Sequence, residues 1–273
     1  MTELDTGTGD LLAEIDDGVA VLTMNRPERR NAFSPAMIGA LGRVLADIDA
    51  DDSVGAVVLT GAGGAFCAGG DVKAMAEQVA LFGDGASYDS TVHLQRLAQR
   101  STSGRLWEMP KPTIAALPGP AAGAGLALAL ACDLRYAADT AVLTTAFARV
   151  GFSGDFGGTW FLSRLVGSAK AKELYFFSDR LTAGEASELG LVNAVFPAAQ
   201  LTDEVMQRAR RLAAGPRVAL RYMKENLNRA VHGEFGECSD LEATHHIHTG
   251  TTEDHREAAR AFVEKREPTF KGR

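Results

Sequence analysis

The chain has 273 residues, of which 46% are hydrophobic and 23% charged, with a formal net charge of −7. That composition excludes a disordered chain, and the length suffices for one sizeable buried core. The negative balance disfavours a nucleic acid or an anionic membrane as partner, so an anionic ligand has to be met locally, by a few basic side chains or by backbone amides.

Cys67, Cys132 and Cys238 are odd in number, widely spaced and without a CxxC pair, so neither a disulfide framework nor a zinc site is expected. Residues 1–10 are polar and acidic, with no basic segment leading into an apolar stretch. The longest near-apolar run, residues 119–132, is glycine-rich and too short to span a bilayer. A soluble protein of the reducing cytoplasm is expected.

In chain order, residues 11–15 and 19–24 read as two strands around an Asp-Asp-Gly turn. Ser34 followed by Pro35 reads as a helix start, and Met37, Leu41, Val44, Leu45 and Ile48 follow helical spacing. Residues 55–60 form a short apolar run that predicts a buried strand. A loop at residues 61–70 and a helix beginning near Asp71 come next. The same order recurs as a strand at 112–117, a Gly/Ala turn at 119–125 and a helix at 126–132. A further unit places strands at 134–137 and 141–145, a glycine-rich loop at 151–158 and a helix from Thr159. After Pro197 the pattern is helical, over 208–213, 218–231 and 257–265. The layout predicts a layered α/β core with active groups at the loop ends, with residues 1–200 as core and 201–273 as a helical region.

Glycine loops that open helices present unpaired N–H groups at the positive end of the helix dipole, which suits an anion or a developing oxyanion. Two occur here, Ala68 to Asp71 and Gly123 to Gly125. For either loop alone, the glycines have a plainer reading, as tight turns and close packing. A dinucleotide fingerprint is excluded because Phe66 stands where its third glycine belongs. No Gly-x-Ser-x-Gly elbow or Walker loop is present. His245, His246, His248 and His255 read as a solvated or interfacial cluster, with no ligand motif for a metal. Trp107 and Trp160 read as core or pocket-wall residues.

Asp155 is the sharpest single residue. It lies in a glycine-rich loop beside Phe152, Phe156 and Trp160, where it is either a turn former or a partly desolvated base of raised pKa. Asp71, after Gly70, reads as an N-cap.

At this point the sequence resembles the crotonase (enoyl-CoA hydratase/isomerase) superfamily over nearly its whole length. The resemblance is carried by Asn25, Arg26 and Pro27 with Asn31 and Ala32; by Ala65-Phe-Cys-Ala-Gly-Gly-Asp-Val-Lys-Ala-Met75; and by Pro118-Gly-Pro-Ala-Ala-Gly-Ala-Gly125, running on to Cys132 and Asp133. Ala183-Gly-Glu-Ala-Ser-Glu-Leu-Gly-Leu-Val-Asn193 and Ala261-Phe-Val-Glu-Lys-Arg266 add to it. It implies an α/β spiral of ββα repeats with a C-terminal helical region that assembles trimers or hexamers. It also implies an acyl-CoA thioester ligand whose carbonyl oxygen meets the amides of Gly70 and Ala124. Ala68, Gly69, Asp71 and Val72 would line the coenzyme path, and Lys265 or Arg266 would reach its phosphates. Coenzyme A is then part of the substrate, with no separate cofactor and no metal.

The hydratases of this family place two glutamates around one water, and the matching positions here are Ala127 and Phe147. Neither transfers a proton. The run Gly154-Asp-Phe-Gly-Gly-Thr-Trp160 resembles instead the branch of ring-1,2-epoxyphenylacetyl-CoA isomerase and Δ3,Δ2-enoyl-CoA isomerases, which implies an isomerase with Asp155 as its one acid/base. The alternatives are an enoyl-CoA hydratase and a non-catalytic acyl-CoA-binding protein.

Overall fold

The computed structural model describes residues 1–76 and 87–273. The chain begins with β1 (Thr2–Glu3), β2 (Leu11–Asp16) and β3 (Val19–Met24), the last two joined at Asp17 and Gly18, both left-handed. Helix α1 (Pro35–Ala50) starts as the sequence predicts: the Ser34 hydroxyl accepts the Met37 N–H and Pro35 occupies the first turn. Strand β4 (Ala56–Gly61) leads through a loop to the short α2 (Val72–Ala76). Helix α3 (Tyr88–Gln99) runs through a π-helical turn at Arg100–Gly104 into α4 (Arg105–Glu108). There follow β5 (Thr113–Leu117), β6 (Ala121–Ala122), α5 (Ala124–Ala131), β7 (Leu134–Ala138) and β8 (Val142–Thr144). The chain continues as α6 (Gly158–Phe177), β9 (Leu181–Thr182), α7 (Ala183–Glu188) and β10 (Ala194–Phe196). It ends in α8 (Leu201–Ala213), α9 (Arg217–Ala230), α10 (Phe235–Thr249) and α11 (Glu253–Glu264).

Among the described residues, seven strands form one sheet in the order β1-β2-β3-β4-β5-β7-β10, and β6-β8-β9 form a second, small one. β3, β4, β5, β7 and β10 are parallel neighbours. The loops after β4 and β5 therefore leave the same edge side by side, the edge at which parallel α/β sheets place ligands.

Period-2 alternation assigns each strand's side chains to two cores. Val57, Leu59, Ala115, Leu117 and Ala137 face the core that contains α1 and α5. Val19, Ala56, Val58, Ile114, Ala116 and Tyr136 face the other, closed by Leu201, Val205, Ala209 and Ala213 of α8. So α8, counted from the sequence with the C-terminal helical region, covers a face of the sheet.

Beyond α8, α9 is fastened to the core by a polar contact. The buried Lys224 ammonium donates to the carbonyls of Leu106 and Lys111 at 3.0 and 3.1 Å, and lies 2.9 Å from a carboxylate oxygen of Asp133. Asp133 in turn accepts from the Thr113 N–H and hydroxyl. Removing the cation leaves three acceptors short of a donor. Lys224→Ala should therefore lower stability by about 3 kcal/mol, read as a drop in denaturant midpoint at constant slope.

Candidate active site

The loop after β4 is folded by Asn31. Its side chain donates to the carbonyls of Ala62 and Ala65, each at 2.9 Å, and accepts the Arg26 N–H. Asn31 is fully buried in a left-handed conformation, which asparagine tolerates better than most residues. The N–H groups that follow are largely occupied: those of Phe66 and Cys67 by the Pro120 carbonyl, Ala68 by Arg30, and Gly69 by the Cys67 sulfur at 3.3 Å. Gly70 comes next. Among the described residues, its N–H has no protein acceptor.

The loop after β5 is stitched to the first. The Ala122 N–H donates to the Cys67 carbonyl at 2.9 Å, and the Gly123 N–H to Thr144 at 3.1 Å. Gly123, at φ 54° and ψ −127°, then opens α5, two residues earlier than the sequence predicts. The Ala124 N–H, first in the helix, also has no protein acceptor among the described residues. A methyl group built on Gly69 would lie 2.7 Å from the Ala122 oxygen and 3.0 Å from the Ala124 nitrogen. One built on Gly125 would lie 2.5 Å from the Cys67 oxygen. Glycine at these two positions is thus required by the approach of the loops, which brings Gly69, Gly70 and Ala124 into one place.

Asp155 belongs to the turn that opens α6. Its carbonyl accepts the Gly158 N–H at 3.0 Å, and Phe156 and Gly157 between them are left-handed. Phe156 is buried against Phe33 with ring centroids 5.2 Å apart, and the Phe33 N–H donates to the Gly69 carbonyl. One aromatic pair thus ties the Asp155 turn to the first glycine loop. The carboxylate accepts from Gln95 Nε2, 2.7 Å from both oxygens, from Gln99 Nε2 at 2.5 Å and from the Phe156 N–H at 2.9 Å. Burial pushes its pKa above the ordinary carboxylate value, while the donors from Gln95, Phe156 and Gln99 pull it down. The glutamines were not found from the sequence. Their spacing of four on a helix was the available signal. The expected shielding by Phe152 does not occur, for that side chain is 55% exposed. Trp160 instead packs edge-on against Trp107 at 5.1 Å under the Arg164 guanidinium.

The two positions matched to glutamates are apolar and packed. Ala127 lies against Gly158, where an added methyl would be 3.1 Å from its Cβ, and Phe147 stacks on Tyr175 with centroids 5.7 Å apart. Asp71 caps α2 by accepting the Ala74 N–H at 3.2 Å, and meets Arg26 at 3.4 Å. Burial pushes its carboxyl up, but the Ala74 N–H and the cations Arg29 and Arg26 hold it below the usual range. Ala68 is partly exposed and Val72 exposed. Lys265 ends α11 in a left-handed conformation and is exposed. Arg266 is engaged with Glu257 and Glu264. No hydrogen bond or ion pair among the described residues joins either to the glycine loops. His245 stacks on Tyr222 and bonds Asn226, and no group of three or more potential metal ligands occurs among the described residues. Burial pushes the Cys67 and Cys132 thiols up to about 12, which leaves no thiolate nucleophile at either. No helix among the described residues is long and apolar enough to cross a membrane.

A family model described as enoyl-CoA hydratase/isomerase matches residues 14–273. The 1,2-epoxyphenylacetyl-CoA isomerase of Escherichia coli (strain K12) is 36% identical over 263 residues, 96% of this chain and 98% of its own length. The mitochondrial enoyl-CoA hydratase of Pongo abelii is also 36% identical, over 253 residues, 93% of this chain and 83% of that one. The crystal structure of an enoyl-CoA hydratase from Bacillus anthracis superposes with a TM-score of 0.88 at 32% identity, covering 97% of this chain and 100% of its own. An isomerase and a hydratase stand at equal identity, so identity does not choose between the two reactions.

The contact between the loops is open to a direct test. Gly125→Ala sets a methyl against the Cys67 backbone and sulfur, which cannot move without parting the loops. It should cost about 1–3 kcal/mol of stability, whereas Gly64→Ala, with open space around it, should show only the smaller penalty of its left-handed backbone. Parallel thermal unfolding of the two variants makes the comparison.

Proposed function

The chain belongs to the enoyl-CoA hydratase/isomerase family, and from that premise we propose that it is an acyl-CoA isomerase in which Asp155 carries the proton. The observation that carries this reading is the location of the one carboxylate. Asp155 is part-buried on a turn tied to the Gly69 loop and packed beside α5, while Ala127 and Phe147 offer no second acid or base.

In this proposal the thioester oxygen accepts hydrogen bonds from the Gly70 and Ala124 N–H groups, which are fixed before the substrate arrives. Asp155 takes a proton from the carbon beside the thioester. The resulting enolate is stabilised by the two amides and the α5 dipole, in a site where their field is not diluted by water. The same carboxyl, now protonated, returns the proton elsewhere on the acyl chain. Its raised pKa suits both halves of the cycle, as a stronger base before and a competent acid after. Hydration would need a polarised water, and Ala127 and Phe147 give no group to polarise one. Ala68, Gly69, Asp71 and Val72 line the coenzyme path in this reading, and Lys265, an exposed cation, meets its phosphates.

Exposed apolar side chains along the C-terminal helices, among them Leu227, Phe235, Ile247, Phe262 and Val263, support assembly into a trimer or hexamer. Light scattering should give one of these masses, and a stable monomer would remove the assignment.

Asp155→Asn should lower the rate of 3-enoyl-CoA to 2-enoyl-CoA conversion by roughly 10²–10⁴, followed as absorbance of the conjugated thioester, with coenzyme binding retained. The sign of its stability effect follows from the raised pKa. A carboxyl whose folded pKa lies above its unfolded value favours the folded state below the unfolded pKa, and loses that contribution as pH rises through the folded pKa. The Asn variant should therefore gain on the parent in melting temperature as pH is raised across the carboxylate range. An Asn variant with parental turnover, or one destabilised most at neutral pH, would make Asp155 a structural turn residue.

A further inference from the structure

Tyr175 has no part in the proton transfer above, yet it stands where the acyl group would be read. Helix α6 bends at Gly167, whose φ of 78° and ψ of 159° suit glycine alone. The limb beyond the bend carries Tyr175 to the Asp155 turn. A methyl built on Gly158 would lie 2.6 Å from the phenol oxygen and 3.1 Å from the Ala127 side chain. One built on Gly154 would lie 3.3 Å from the phenol ring. Glycines at 154 and 158 thus make the room in which the phenol packs beside Ala127.

The ring stacks parallel on Phe147, whose far edge approaches Gly123 at the start of α5. The residue is only partly exposed, and among the described residues its hydroxyl has no protein hydrogen-bond partner. Its surroundings, Ala127, Phe147 and two glycines, supply no polar side-chain atom. Burial and the charge of Asp155 both push its pKa up, so it stays a neutral donor.

A hydroxyl in this position loses water when an acyl chain fills the site, and the loss goes uncompensated unless the acyl chain brings an acceptor. Ala127 follows Ala124 by three residues, about 4.5 Å along the helix axis at 1.5 Å per residue. With the thioester oxygen at Ala124, that offset reaches past the α-carbon. Resting on the acyl-CoA reading above, we propose that Tyr175 is a specificity-determining residue, donating a hydrogen bond to an oxygen on the β-carbon of the acyl group. The substrate class is then an acyl-CoA thioester oxygenated at that carbon.

The test is binding, measured by calorimetry with butyryl-CoA and 3-hydroxybutyryl-CoA. The parent should hold the hydroxylated ligand roughly three- to tenfold more tightly, the worth of one neutral hydrogen bond. Tyr175→Phe keeps the stack on Phe147 and should bring the two affinities together. Gly158→Ala, which pushes a methyl against the phenol oxygen, should do the same while Tyr175 remains. Asp155→Asn should keep the parental preference, so a failure of the acid/base assignment leaves this result standing. A preference that persists in Tyr175→Phe, or equal affinities in the parent, overturns the role of Tyr175. A parent that binds neither thioester overturns the acyl-CoA reading and this proposal with it.

Discussion

The site depends on how closely two backbone loops approach each other. The loops leave adjacent parallel strands, β4 and β5, at one edge of the sheet, and the Ala122 N–H to Cys67 carbonyl bond pins them together. That bond forms only if Gly69 and Gly125 lack side chains, since a methyl on either would overlap the opposite backbone. Most N–H groups around the junction are consumed in making it. Gly70 and Ala124 are left to face outward from it. A pair of donors held by rigid backbone has nothing to reorganise when charge develops in front of it, and such preorganisation is the main means by which oxyanion sites act. An acidic chain of net charge −7 can in this way meet an anion without assembling a basic patch.

The second constraint is the balance at Asp155. Burial alone would carry a carboxyl far up, and full hydrogen bonding alone would carry it down. Here Gln95 and Gln99 donate from α3, just before the π-helical turn that begins at Arg100, and Phe156 donates from the turn itself. Neutral amides satisfy the carboxylate without introducing a cation, which would have lowered its pKa and weakened it as a base. The direction that remains is upward. An interruption of helical geometry next to functional donors is where π-turns are often found.

Much of the fold was legible because strand and helix periods were clean. Leu11–Asp16, Val19–Met24, Pro35–Ala50 and Ala56–Gly61 were predicted to within a residue or two, the helix from its Ser-Pro start and the strands from alternation. Helices α3 and α10 were not predicted. In α3 only Ala98 is buried and in α10 only His245, so neither displays an apolar stripe, and tertiary packing determines them rather than their own pattern. Both glycine loops were legible from composition. The reason for their glycines was not, because it lies in the partner loop, more than fifty residues away in sequence. Asp155 stood out from its glycine-rich, aromatic surroundings, but its true partners, Gln95 and Gln99, are distant in the chain and common in type. Phe152, its neighbour in sequence, turns out to be exposed.

The same distance effect governs how the chain's departures from the hydratase pattern are to be weighed. Ala127 and Phe147, read singly, are losses: two carboxylates replaced by a methyl and a ring. In the fold each is an element of packing. Ala127 is small enough for Gly158 to sit against α5, which draws the Asp155 turn toward the helix that begins at Ala124. Phe147 supplies the flat face on which Tyr175 stacks, and its edge closes over Gly123. A glutamate at either position would place a second charge beside Asp155, and like charges at close range cannot both remain ionised without raising one pKa strongly. With apolar residues there, only one carboxylate titrates. A single carboxyl that must both take and return a proton needs that freedom from a competing acid, so the two substitutions and the retained aspartate form one consistent set.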